Sequence, residues 1–124
     1  MKRTFRLRLT GAIGPSVARR TVERALKLWR FGDRMDDALI VTTELVENVV
    51  KHTGNGGELQ LSIRDGAVLI QVADSSSDLP EVQAEDFRRP DGRGLRMVQV
   101  IADRWGSRPI AGGKVVWAEL DPAA

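Results

Sequence analysis

Leu59, Leu61 and Ile63 alternate with Gln60, Ser62 and Arg64, and after Asp65-Gly66 the alternation resumes in Val68, Ile70 and Val72. Successive strand side chains point to opposite faces, so this period buries one face of a β-hairpin and leaves the other in water. Asp-Gly between two such runs marks a two-residue turn of the primed type, whose twist matches the strands it joins. A hairpin alone is marginal in water, and its apolar face has to be covered by the rest of the chain.

The remaining patterns supply that cover. Phe5, Leu7 and Leu9 alternate with Arg6, Arg8 and Thr10, a further half-buried strand. Gly14-Pro15-Ser16 opens a helix, and Ala18, Val22, Ala25, Leu26 and Trp29 form one apolar stripe ending at Gly32. Asp33 is placed to cap a second helix that runs to about Thr53, with Met35, Leu39, Val46, Val49 and Val50 as its buried side. Thr53-Gly54-Asn55-Gly56-Gly57 breaks it. Between Asp74 and Gly94 periodicity disappears, and an unpatterned stretch of about 20 residues in so small a chain points to a functional loop. A third helix with Leu95, Val98, Ala102 and Trp105 as its apolar side closes at Gly106, and two strands flank Ala111-Gly112-Gly113, the second being Val115 to Leu120. Strand, helix, helix, hairpin, loop, helix, hairpin predicts an α/β fold: a two-layer sandwich with helices on one face of a mixed, mainly antiparallel sheet. The 124 residues read as a single domain, residues 1–124.

Composition narrows the chemistry. There is no cysteine and one histidine, His52, so a thiolate metal site is excluded and a zinc site would have to rest almost wholly on carboxylates. No apolar run approaches the roughly 20 residues that span a bilayer, and no apolar leader opens the chain, so a cytoplasmic protein without membrane contact is expected. Residues 1–34 carry ten Lys/Arg against two acids, whereas residues 35–87 carry two against eleven. No aromatic platform interleaves the arginines, so they read as a solvated face or a surface for a charged protein rather than for nucleic acid.

Three weak signals fall on compatible elements. Glu44 and Asn48, four apart, share one helix face, and His52 continues the row. A carboxylate beside a carboxamide can orient a water or ligate a hard cation such as Mg²⁺, which is usually shared with phosphates. Asp74 closes the apolar run Val68 to Ala73, where a carboxylate with no basic neighbour in sequence needs a donor; the exocyclic amine of adenine supplies one, and guanine does not. Gly92-Arg93-Gly94 leads into the third helix, the place where free N–H groups and the dipole favour an anion.

Glu44-Leu45-Val46-Glu47-Asn48-Val49-Val50-Lys51-His52, Val72-Ala73-Asp74-Ser75-Ser76, Gly92-Arg93-Gly94-Leu95 and Gly113-Lys114-Val115-Val116-Trp117 together resemble the ATPase domain shared by gyrase, Hsp90, histidine kinases and MutL. Within that superfamily the chain is most similar, over nearly its whole length, to the small bacterial anti-sigma factor serine/threonine kinases. The resemblance implies a Bergerat-type ATP-binding fold that takes ATP and Mg²⁺. It implies Glu44 as general base, Asn48 as ligand to Mg²⁺ and Asp74 as holder of the adenine amine. Lys51 and His52 would face phosphate and base or ribose, and Leu79 to Asp91 would form a lid. Ser76, Gly92, Arg93, Gly94 and Leu95 would complete the nucleotide-binding set. The implied partners are a sigma factor and a STAS-type anti-sigma antagonist phosphorylated on serine or threonine. The other implied activity is that of a catalytically weak ATP-binding module acting by sequestration. A homodimer paired through the exposed edge of the first strand is also expected.

Two departures stand out. Asp74-Ser75-Ser76-Ser77-Asp78 replaces Asp-x-Gly-x-Gly, and Val115 or Val116 stands where many relatives have a threonine that contacts adenine through water. Both point to modest nucleotide affinity.

Overall fold

The computed structural model describes residues 2–10, 13–53, 57–74 and 93–123. Their elements are β1 (Lys2–Leu9), α1 (Pro15–Leu28), α2 (Met35–Thr53), β2 (Gly57–Arg64), β3 (Ala67–Asp74), α3 (Arg93–Ile101), β4 (Arg104–Ile110) and β5 (Gly113–Leu120). The strands form one sheet in the order β1-β2-β3-β5-β4. Every pairing among them is antiparallel.

The alternation read from the sequence sets the register. Leu59 pairs with Val72 and Leu61 with Ile70, while β5 sets Val116 against Val72 and Ala118 against Ile70. All six side chains are fully buried, and this face of the sheet carries α2 and, through it, α1 and α3. Ala18, Val22 and Leu26 of α1 and Val41, Leu45, Val46 and Val49 of α2 complete the core. At about 25 cal/mol per Å² of apolar surface, each of these large aliphatic side chains contributes about 1.5–3 kcal/mol, which makes the sheet–helix seam the main source of stability. The β2–β3 turn has Asp65 at φ 53 and Gly66 at φ 82, the two positive values a type I′ turn requires.

Three local expectations are corrected. The stop of α1 comes at Arg30, which takes φ 61, rather than at Gly32: the Arg30 and Phe31 N–H groups donate to the Lys27 and Leu26 carbonyls at 3.0 and 2.8 Å. That is a Schellman motif with an arginine in its left-handed position. In α2, Val50 is exposed rather than buried. α3 ends at Ile101, not at Gly106, so Trp105 and Gly106 lie in β4 opposite Ala118 and Trp117. The Asp103 N–H already donates to the Glu119 carbonyl at 3.0 Å, and this sheet bond, together with the Arg34 contacts described next, outcompetes another turn of helix.

Arg34, just before α2, binds this end of the molecule together. Its Nη2 donates to the Ile101 carbonyl at 2.9 Å, and its Nη1 donates to Asp103 Oδ2 at 2.5 Å and to the Asp121 carbonyl at 3.2 Å. The end of α3 and the end of β5 are thereby fixed at the start of α2. α2 and α3, which pack on each other, therefore run antiparallel, and the N-terminus of α3 is directed toward the C-terminal half of α2.

Candidate functional site

The same anchoring defines the opposite end of the sheet. β5 finishes near Arg34 and begins at Gly113, so its first residues, and the last residues of the antiparallel β3, lie at the far end. The 19 residues of α2 rise about 28 Å and carry Asn48 toward that end. The end of β3 and the start of β5 pair there, and α2, which packs on both strands, also packs on α3.

On the helix-facing side of β3 the sequence is Val68, Ile70, Val72, Asp74, each buried. The apolar ladder thus ends in a carboxylate whose side chain is wholly shielded from solvent. In the same register Gly57 lies opposite Asp74 on β2, and Lys114 lies opposite it on β5. A Cβ on Gly57 would stand 2.2 Å from the Ala73 carbonyl oxygen, so the strands approach here as only glycine allows.

Lys114 is the residue at this site that sequence reasoning missed: Asp74 has no basic neighbour in sequence, and the β3–β5 pairing supplies one in space. Its Nζ lies 3.3 Å from Asp74 Oδ2, with both side chains buried. Nζ makes no hydrogen bond among the described residues, so the contact is an ion pair without hydrogen-bond alignment. The available signal was positional: Lys114 shares its parity with Val116, Ala118 and Leu120, so it stands on the inward face of β5.

On α2, Glu44 and Asn48 lie one turn apart. Glu44 is half-buried, and its pKa is raised, first by desolvation and then by the neighbouring Glu47 charge. It also lines an open groove of about 560 Å³ between α1 and α2, beside Arg19, Arg20 and Thr43. The Nδ2 of Asn48 is buried with no hydrogen-bond acceptor among the described residues. An unpaired buried amide costs about 1–3 kcal/mol. A phosphate oxygen would satisfy it, and its carboxamide oxygen suits Mg²⁺. Among the described residues no three of His, Asp and Glu cluster to hold a metal by themselves.

Lys51 and His52 occupy the last turn of α2, and Arg93 and Gly94 begin α3. The side chains of Lys51, His52 and Arg93 lie outside the described residues, as do Ser76, Gly92 and the expected lid, Leu79 to Asp91. Leu95 is 2% exposed and belongs to the core. Thus Asp74 closes one end of the sheet, Asn48 stands in the C-terminal half of the helix that packs on β3, and Glu44 stands at that helix's middle, on the α1–α2 groove.

A buried carboxylate closing a sheet ladder and, on the covering helix, an amide with no acceptor among the described residues fit an ATP-binding α/β sandwich. The chain belongs to the histidine kinase-, DNA gyrase B- and HSP90-like ATPase family, whose model matches residues 35–124. No curated protein matches the chain. Among the described residues no helix is long and apolar enough to cross a membrane.

Proposed function

We propose that this chain is an ATP-dependent protein serine/threonine kinase that phosphorylates a STAS-type anti-sigma antagonist and sequesters a sigma factor. The observation that carries the reading is the apolar ladder of β3 ending in the buried Asp74, a carboxylate acceptor in apolar surroundings that suits the adenine amine. The buried Nδ2 of Asn48, which meets no acceptor among the described residues, supports it, as does the family match over residues 35–124.

The roles follow from the side chains. Asp74 accepts from the exocyclic amine, and Asn48 turns its carboxamide to the phosphates. Mg²⁺, when bound, offsets the charge of the phosphate oxygens, with Asn48 as its protein ligand. Lys51, by the resemblance, and the N–H groups that open α3 at Arg93 and Gly94 would add positive potential at the phosphates. Glu44 takes the proton of the acceptor hydroxyl as that oxygen bonds to the γ-phosphorus and the bridging P–O bond to ADP breaks. Its raised pKa makes it a better base than an exposed glutamate, and its place on the α1–α2 groove leaves it open to a protein hydroxyl. A second copy pairs through β1, which stands at the edge of the sheet with Arg6 and Arg8 exposed.

Calorimetric titration of ATP with and without Mg²⁺, beside Asn48→Ala, tests the site. Binding that needs both Mg²⁺ and Asn48 is the expected result, and no binding at millimolar ATP overturns the reading. Transfer of the γ-phosphate to a STAS-type protein, lost in Glu44→Ala while nucleotide binding remains, separates the kinase from a module that acts by sequestration alone.

A further inference from the structure

Lysine is among the side chains least often buried, and a buried charge is tolerated only when compensated. Lys114 is 2% exposed, at an inward position of β5 that apolar residues otherwise fill. Asp74 at 3.3 Å compensates its charge, yet the ammonium has three donors, and none is used among the described residues. The pair closes the ladder at the end of the sheet where the base is to sit.

We propose that Lys114 is a second reader of the nucleobase, donating to ring N1 of adenine while Asp74 accepts from the adjacent 6-amine. The inference rests on the ATP-binding reading above and names a selectivity residue within that site. Along that edge adenine offers a donor next to an acceptor, and the Asp74–Lys114 pair offers an acceptor next to a donor, 3.3 Å apart. Guanine and hypoxanthine present the reverse order at the same two positions: a carbonyl would face Asp74 and an N–H would face Lys114. Both buried charges would then meet groups of their own kind, which is how polar sites reject analogues by large factors. A carboxylate offers about four acceptor sites on its two oxygens, so pairing with Lys114 does not exhaust it. With Val115 and Val116 at the end of this strand, Lys114 is its polar contribution to the base.

The test compares Mg-ATP with the 1-deaza analogue, which keeps the 6-amine and carries C–H in place of N1, by calorimetry on the full chain. Wild type is expected to bind the analogue about 10- to 100-fold more weakly than ATP. Lys114→Met is expected to bind the two alike. Equal binding of both ligands by wild type overturns the role of Lys114 and leaves the ATP reading standing. A gap that persists in Lys114→Met assigns N1 to another donor and also overturns it. Binding of neither ligand defeats the ATP reading, and this inference with it. Should Lys114→Met prove unfolded by circular dichroism, the ¹⁵N resonance of the buried lysine ammonium in wild type decides. It is expected to shift with Mg-ATP and not with the analogue, and the same shift with both overturns the proposal.

Discussion

Arg34 Nη1 donates to Asp103 Oδ2 at 2.5 Å across 69 residues of sequence, and the same carboxylate oxygen accepts from the Asp121 N–H at 2.8 Å. The pair joins the start of α2 to the α3–β4 connection, which fixes the direction of α3. The Asp121 N–H, and after it Arg34, hold the Asp103 pKa below its ordinary value. A folded-state pKa that is lowered stabilises the fold above the unfolded value and loses that contribution as pH falls through the folded one. Asp103→Asn should therefore be less stable than wild type at pH 7, with the gap closing below about pH 4. Arg34→Met removes the carbonyl contacts as well, at about 2 kcal/mol. Urea unfolding at pH 7 and pH 3 checks both.

Glu44 shows the opposite sign. Desolvation and Glu47 raise its pKa, so the folded chain holds that proton more tightly than the unfolded chain, and stability declines as pH rises through the window between the two values. Glu44→Gln should be at least as stable as wild type at pH 7 and should still bind ATP, yet lose about 10²- to 10⁴-fold in phosphoryl transfer. Glu47→Gln should move the acid limb of the rate–pH profile to lower pH. Turnover measured from pH 4.5 to 8 checks the shift, and an unmoved limb would remove Glu44 from the role of base.

Arg30 sits at φ 61 in the Schellman position of α1, where a side chain crowds the backbone and glycine does not. Arg30→Gly should raise stability by about 0.5–1 kcal/mol, the relief of strain being partly offset by the greater freedom of the unfolded chain. Thermal unfolding reads this directly, and a lowered Tm would mean that the arginine side chain makes contacts worth more than the strain.

What was legible in the sequence was whatever a single element determines. Asp65-Gly66 named its turn because both residues must take positive φ, and the alternation of β2 and β3 named the buried face because one face packs on helices. Glu44 and Asn48 were legible as one helix face for the same local reason. The failures are relations between elements. Trp105 fits a helical period after Leu95, Val98 and Ala102, and only the pairing of β4 with β5, with Arg34 on the Ile101 carbonyl, decides for a strand. Lys114 is 40 positions from Asp74, and only the β3–β5 register places them side by side. Arg30 displaced Gly32 as the helix stop because the carbonyls to be satisfied, those of Leu26 and Lys27, dictate where the chain turns, whatever residue stands there.

Gly57 links fold and site most tightly. It faces Leu9 on one side and Asp74 on the other, and a Cβ there would stand 2.2 Å from the Ala73 carbonyl oxygen, which is backbone and cannot swing aside. Gly57→Ala must therefore push the start of β2 away from the end of β3, at about 1–3 kcal/mol. Because the displaced segment is the one that holds Asp74, nucleotide affinity should fall along with stability. Val68↔Ile63, at the other end of the same two strands, offers the control: Ile63→Val should cost about 0.5–1 kcal/mol and leave affinity unchanged. Paired urea unfolding and ATP titration of the two variants check this, and a Gly57→Ala chain that loses stability but binds ATP as wild type does would place the base away from Asp74.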